Sequence, residues 1–334
     1  MSRSYFDEEA AFLKAVEKRY RLKQADEWIL QKHSFDFREM TNLPLALRER
    51  LAREWSVIPL TIVQKQRSLD GSTEKTLFET VDGLFVESVL MNYETRKTLC
   101  VSTQVGCRNR CRFCATGAQG LKRNLTAGEM MGQILYDSPL TNIVFMGMGE
   151  PLDNLVQLIR TLRLLNHPDK MNFGARRITI STVGLPEEIR ALAAEMRQYG
   201  LSWSLHAPTD ELRTSLIPVN RRYPIAKVAE ALREYGRRTG GAITLEYILL
   251  KGVNDSPEQA RQTASIARKL NAKVNVIPYN AHPYADFERP GEETIRSFAG
   301  ILQSEGIIAT VRESKGNDID AACGQLAGRH RQGG

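Results

Sequence analysis

The sequence predicts an α/β fold: a partial (βα)6-type barrel with an N-terminal helical module and a small β-hairpin extension. Three observations predict it. From Thr98 onward, short apolar runs alternate with stretches of helical period, as repeated β–α units with a parallel sheet require. About six such units can be counted, too few for a closed eight-fold barrel. Before them lies a helix-patterned stretch, then a stretch of period-two alternation broken by Asp-Gly turns.

Residues 1–54 read as the helical module. Phe12, Leu13, Val16, Tyr20 and Leu22 suit one apolar face, and Trp28, Ile29 and Leu30 follow a polar break. Thr41-Asn42-Leu43-Pro44 reads as a cap leading into a helix over Leu45–Glu54. Residues 55–96 form the extension, with strands around Thr61–Val63, Thr76–Thr80 and Leu84–Leu90. The turns are Leu69-Asp70-Gly71 and Val81-Asp82-Gly83. Glu87 interrupts an apolar strand, and such an acid ordinarily points to solvent.

Residues 97–312 carry the barrel. Its strands are expected at Leu99–Gln104, Asn142–Phe145, Arg177–Thr182, Ser202–His206, Ala242–Leu249, Val274–Ile277 and Ala309–Arg312. Helices fit Ala127–Tyr136, Leu155–Leu165, Glu187–Gln198, Ile225–Arg238 and Pro257–Leu270. Barrels of this kind place their chemistry at the C-terminal strand ends. Gly147, Gly149 and Glu150, Ser181, Ser204 to His206, and Asn280 all stand there. Residues 313–334 form a C-terminal segment that includes Cys323 and a basic tail, Arg329-His330-Arg331.

The 334 residues are 42% hydrophobic and 25% charged, ordinary values for a globular chain. A net charge of +7 favours a polyanionic partner. The N-terminus lacks the basic-then-apolar pattern of a secretory signal, and no apolar run reaches membrane-spanning length. The odd count of 5 cysteines argues against a disulfide framework and for a reducing, cytoplasmic setting.

Three of those cysteines, Cys107, Cys111 and Cys114, follow a C-x3-C-x2-C spacing. A tetrahedral zinc site needs a fourth ligand, and residues 115–124 contain no His, Cys or acid. A [4Fe–4S] cube held by three thiolates leaves one iron open for a substrate or cofactor. The spacing reads as the cluster loop of a radical S-adenosylmethionine (SAM) enzyme. Arg108, Arg110 and Arg112 interleave the cysteines, and cations lower thiol pKa. Cys100 and Cys323 belong to no evident ligand set; spare thiols permit redox or covalent chemistry on sulfur.

Several long stretches then occur in a familiar order: Leu99–Cys107, Phe113–Gly117, Lys122–Thr126, Gly147–Pro151, Ser204–Pro208 and Asp318–Leu326. Together with Met40–Leu43 they resemble the RlmN/Cfr family of radical-SAM RNA adenine methyltransferases over nearly the whole chain. The resemblance implies that Cys107, Cys111 and Cys114 ligate the cluster. It implies SAM contacts at Gly149, Glu150, Ser181, Ser204, Leu205, His206 and Asn280. Cys323 matches a methyl-carrying cysteine, Cys100 its resolving partner and Glu87 a proton acceptor.

The implied reaction uses two SAM molecules per turnover. One methylates Cys323, and the second yields the radical that activates the S-methyl group. A disulfide between Cys100 and Cys323 then forms and is reduced by an external donor such as flavodoxin or ferredoxin. The implied substrate is an adenine of 23S rRNA, with tRNA as a further one. Pro151 after Gly149-Glu150 resembles the branch that methylates C2. Two departures, the Arg-Asn-Arg spacer and Ser314-Lys315-Gly316-Asn317 ahead of Asp318, leave the RNA and the ring carbon open. The alternatives are C8 methylation of the kind that confers resistance to ribosome-targeting antibiotics, and a non-catalytic zinc-stabilised RNA-binding protein. Arg176-Arg177 and Arg221-Arg222 are further candidates for phosphate contact.

Overall fold

The computed structural model describes residues 3–312 and 315–328. A short strand β1 (Arg3–Ser4) precedes helices α1 (Glu9–Val16), α2 (Arg19–Leu30) and α3 (Leu45–Glu54). Strand β2 (Trp55–Ser56) then pairs in parallel with β1, closing the module on itself. Phe12 is the centre of its core, with its ring against Tyr5, Phe37 and Trp55.

Two expectations about this module are corrected. The apolar face does not run on through Tyr20, which is 54% exposed. Glu17 takes a left-handed φ of 67° and ends α1, so the helix restarts in a different phase. Nor does the Thr41-Asn42 stretch cap α3. Asn42 Oδ1 instead accepts from Trp28 Nε1 at 2.8 Å, and Pro44, its φ fixed by the ring, leads into the helix without a side-chain cap.

Next come β3 (Leu60–Arg67), β4 (Thr73–Thr80) and β5 (Phe85–Asn92), an antiparallel meander. Its turns place Gly71 and Gly83 at φ of 67° and 75°, a region that glycine reaches without steric cost. The meander is not a separate sheet. Strand β5 pairs antiparallel with β6 (Lys97–Cys100), the first barrel strand, so the extension lengthens the barrel's own sheet.

After β6 the chain forms β7 (Gln104–Val105), α4 (Ala115–Ala118), β8 (Arg123–Asn124) and α5 (Ala127–Asp137). Then follow β9 (Asn142–Phe145), α6 (Leu155–Asn166), β10 (Ile178–Thr182), α7 (Pro186–Ala193) and β11 (Gly200–Ser204). The rest is α8 (Asp210–Leu216), α9 (Ile225–Thr239), β12 (Ile243–Leu249), α10 (Pro257–Leu270), β13 (Lys273–Pro278), α11 (Glu292–Ser304) and β14 (Ala309–Val311). The sheet order is β14-β13-β12-β11-β10-β9-β6-β5-β4-β3, parallel from β6 to β14. Among the described residues six crossovers join seven parallel strands, and the two ends of the sheet do not pair, so the barrel is partial as expected.

Alternation along the strands sorts the two faces. Ile143, Phe145, Ile180, Leu201, Trp203, Leu245 and Val274 are fully buried against the surrounding helices. The opposite register carries Thr98, Asn142, Thr179, Ser202, Thr244, Glu246 and Asn275, which line a cavity inside the barrel. Barrel interiors are ordinarily packed with branched apolar side chains. This one is polar and hollow.

Capping boxes start α5 (Thr126 with Glu129) and α10 (Ser256 with Gln259), which explains why both helices begin where the sequence predicts. Helix α7 stops at Ala193, short of the expected Gln198, because Met196 turns left-handed at φ 52° on the way into β11.

At the end of α5, Asp137 is 5% exposed, and its Oδ2 has no hydrogen-bond partner among the described residues. Burial pushes its carboxyl up to about 6, against the pull of Lys65. A raised carboxyl costs nothing below its unfolded pKa and costs progressively more as pH rises through the folded one. Asp137→Asn is therefore expected to stabilise the protein at pH 8 by on the order of 3 kcal/mol and to change little near pH 4. Thermal melts at the two pH values check this; equal shifts at both would refute it.

Candidate active site

The cysteine loop is built on glycine. Gly106 sits at φ 76°, and a Cβ there would fall 1.8 Å from the carbonyl oxygen of Gly120. Only glycine lets the two ends of the loop meet, and the Cys107 amide donates to that same oxygen at 3.2 Å. Strands β7 and β8 pair as the base of the loop. At its far side the Arg112 amide donates to Leu216 O at 3.0 Å.

Burial pushes the Cys107 thiol up to about 12 and raises Cys111 and Cys114 as well; neighbouring loop thiols raise Cys107 and Cys111 further, and Cys323 raises Cys114. Alone, then, these thiols hold their protons. They ionise when a metal displaces them. Asn109 Nδ2 donates to Cys107 Sγ at 3.7 Å, and the backbone amides of Thr116 and Gly117 face Cys114. Among the described residues no set of His, Cys, Asp or Glu side chains gathers as around a single metal ion. Three half-buried thiols close enough to act on one another electrostatically, backed by amide donors, fit a cluster whose remaining iron is left to SAM.

The loop's own arginines do less than the sequence suggested. Arg108 is paired with Asp153 at 2.7 Å, and Arg123 is shared between Asp82 and Glu129. The buried cation beside Cys111 is Arg213 of α8, which sequence reasoning missed. It donates to Leu205 O at 3.0 Å, Ser204 O at 3.0 Å, Val183 O at 2.5 Å and Asn220 Oδ1 at 2.7 Å. One guanidinium thus pins the exits of β10 and β11. Its only signal is its place between Leu212 and Leu216 on a short helix.

Those exits carry the expected SAM positions. Gly149 has φ 99°, and a Cβ on it would lie 2.5 Å from Gln104 Cβ. Glu150 is buried and accepts from the amides of Val183 at 2.8 Å and Leu152 at 3.2 Å, while burial raises its carboxyl to about 7. An ammonium group arriving beside it would favour the ionised form. Ser181 and Ser204 stand near the ends of β10 and β11, in the register of the cavity-lining Thr179 and Ser202. Leu205 is buried behind them.

His206 is buried at φ 56°, and its Nδ1 accepts from the Ile248 amide at 3.0 Å, which leaves the ring proton on Nε2. Burial, with Arg213 nearby, lowers it to about 3, so it is neutral. Its Nδ1 is committed to holding β12, and its backbone amide and carbonyl are bonded to Glu246 O at 3.3 Å and Asn254 Nδ2 at 2.8 Å. Asn280 donates to Cys323 O at 3.3 Å, while its buried Oδ1 has no partner among the described residues. Such an acceptor fits a ligand donor.

The C-terminal segment lies across the loop. Ala115 N donates to Gly324 O at 2.8 Å, Thr116 Oγ1 to Leu326 O at 2.7 Å, and Gln325 Nε2 to Ala281 O at 2.9 Å. Cys100 and Cys323 are both free thiols, and with Cys114 and Arg312 they line one cavity of about 100 Å³. Burial, and then the nearby Cys323, pushes Cys100 up to about 12. Arg312 is raised above its ordinary value chiefly by Cys323, the mark of a cation facing that sulfur.

Glu87 does not point to solvent, which corrects the reading of its strand. It is 4% exposed, pairs with Lys75 at 3.3 Å, and its Oε2 accepts from the amides of Ala327 and Gly328, each at 2.9 Å. Its face of β5 is covered by the C-terminal segment, a long-range contact that the local alternation does not show. Arg176, Arg177, Arg221 and Arg222 stay exposed. The Arg329-His330-Arg331 tail lies outside the described residues. No helix among the described residues is long and apolar enough to cross a membrane.

Comparison with known proteins agrees with this geometry. Residues 101–264 match the radical SAM superfamily, and residues 8–57 match the ribosomal RNA large subunit methyltransferase N-terminal domain. A probable dual-specificity RNA methyltransferase RlmN of Geobacillus kaustophilus is 46% identical over 95% of this chain and 88% of its own length. Another from Thermus thermophilus is 46% identical over 92% of this chain and 89% of its own. The crystal structure of a radical SAM methyltransferase from Sphaerobacter thermophilus superposes with a TM-score of 0.95 at 48% identity, covering 98% of this chain and 100% of that one. The helical module, the partial barrel and the three-cysteine loop are thus one inherited arrangement, and the chain belongs to the RlmN family of radical SAM RNA methyltransferases.

Proposed function

We propose that this enzyme methylates C2 of an adenine in 23S rRNA, and an adenine in tRNA as its second substrate, in the cytoplasm. The observation that carries the reading is the single cavity shared by Cys100, Cys323 and the ligand Cys114. The name dual-specificity RNA methyltransferase, given to the relatives, supports two classes of RNA.

Cys107, Cys111 and Cys114 would hold the [4Fe–4S] cluster, with SAM received by Gly149, Glu150, Ser181, Ser204, Leu205, His206 and Asn280. Two SAM molecules per turnover would supply the methyl group and, by reductive cleavage at the cluster, the radical that activates it. Adenine C2 is electron-poor and cannot itself displace a methyl from SAM, whereas a thiolate can. Cys323 would be that thiolate and carry the methyl, a reading supported by its exposure and by Arg312 facing its sulfur. Glu87 serves as the proton acceptor when the ring regains aromaticity. The adduct's unpaired electron would pass back to the cluster as that proton leaves. Cys100, giving up its own proton, would then attack the Cys323 sulfur, so that the S–S bond forms as the S–C bond breaks. The released methylene takes up a proton to become the methyl group, and two electrons from an external donor such as flavodoxin or ferredoxin reduce the disulfide.

The test is anaerobic reconstitution, reaction with methyl-labelled SAM and a 23S rRNA fragment, and mass analysis of the digested nucleosides. Label on adenine C2 is expected. Label on C8 would move the enzyme to the other branch, and methylation of neither ribosomal nor transfer RNA would defeat the proposal.

A further inference from the structure

The hollow barrel interior is not accounted for by cluster or SAM. Its cavity of about 510 Å³ lies within the range of ligand sites and opens at the N-terminal strand ends, where Thr98, Asn142 and Thr244 stand. It is bordered by Met91, Val144, Met146 and Arg312, which also border the cavity of Cys100 and Cys323. The two spaces are neighbours along the barrel axis.

Within the larger one stands a carboxylate that the folded protein does not satisfy. Glu246 is 4% exposed, and Asn275 Nδ2 donates to its Oε1 at 3.0 Å. Its Oε2 has no hydrogen-bond partner among the described residues, although the Arg312 guanidinium and the Ser202 hydroxyl lie near the carboxyl. A buried, half-satisfied acceptor facing a cavity fits a ligand that brings a donor. At the mouth, Tyr93 is flanked by Arg96 at 4.2 Å and Lys315 at 4.4 Å from its ring centroid. Exposed cations around an aromatic ring suit a nucleic-acid backbone and an unstacked base.

We propose that the substrate nucleotide enters through this N-terminal mouth, flipped out of its RNA, and that Glu246 Oε2 reads the exocyclic amino group of adenine. This rests on the adenine-methylating function proposed above. Adenine presents an N6 amino donor on its pairing edge, whereas guanine presents the O6 acceptor there. A carboxylate oxygen attracts the first and repels the second. C2 belongs to the same six-membered ring, so a base held by its amino group turns that ring, not the C8 side, into the interior.

The test is equilibrium binding of the reconstituted enzyme to two fluorescently labelled RNA hairpins, followed by methyl transfer to each. One hairpin carries adenosine at the target position and the other purine riboside, which lacks only the amino group. The wild type is expected to bind the adenosine hairpin about 10-fold more tightly. Glu246→Ala is expected to lose that preference while retaining the residual affinity that both hairpins share. A site that is merely structural would weaken both equally. Equal binding of the two hairpins by the wild type would overturn the inference without recourse to any variant, as would a Glu246→Ala enzyme that still prefers adenosine. If the adenosine hairpin is preferred but not methylated, the functional proposal fails and the reading of the amino group stands.

Discussion

Cys323→Ala is expected to reduce methyl transfer to RNA by at least about a thousandfold, because the proposed covalent route would lose its carrier. The cluster loop should survive. The segment is held by Gly324 O, Leu326 O and the amides of Ala327 and Gly328, none of which needs the thiol. Iron content and SAM cleavage should therefore stay near wild type, and the absorbance of the cluster and release of 5′-deoxyadenosine measure both. The companion variant, Cys100→Ala, keeps the carrier and loses the resolving thiol. It should stop after one turnover with RNA covalently attached, visible as a shifted band on a denaturing gel. Repeated turnover by either variant would remove that residue from the mechanism.

Arg213→Ala should give the largest loss of stability of any single arginine substitution in the chain. The change leaves the carbonyls of Val183, Ser204 and Leu205 and the side-chain oxygen of Asn220 without their shared donor in a buried place. Each orphaned acceptor costs about 1–3 kcal/mol, and partial relaxation brings the expected total to about 3–5 kcal/mol. For a chain of 334 residues that corresponds to a fall in Tm of about 5 °C. SAM affinity should fall as well, since Ser204 and Leu205 lose their brace. Arg213→Lys keeps the charge but cannot reach four acceptors, and is expected to fall between the two. A melt unchanged by either variant would show that the carbonyls find other donors.

Much of the fold was legible because its causes are local. Asn142–Phe145, Pro257–Leu270 and Leu45–Glu54 form where apolar period, proline and glycine placed them. The three-cysteine loop was legible for the same reason: Cys107, Cys111 and Cys114 and their spacing occupy one short stretch. What sequence concealed was decided by contacts between distant stretches. Glu87 looked solvent-facing because nothing in its strand reveals that residues 327 and 328 cover it. Arg213 drew no reading from the sequence, because only the assembled barrel gives its four acceptors a common centre. Glu246 sat within an apolar run, and its alternation phase had meaning only once the interior was seen to be hollow.

The contact between Glu87 and the amides of Ala327 and Gly328 has a consequence for the order in which this enzyme becomes competent. The proposed cluster cysteines and SAM positions all lie at or before residue 280, yet the proposed methyl carrier is fastened only when residues 321–328 emerge and dock onto β5 and α4. A nascent or clipped polypeptide that stops between these points would possess the means to generate radicals and no acceptor to direct them. On the proposed mechanism, the carboxylate on β5 would thus couple radical generation to its outlet by holding residues 327 and 328 in place.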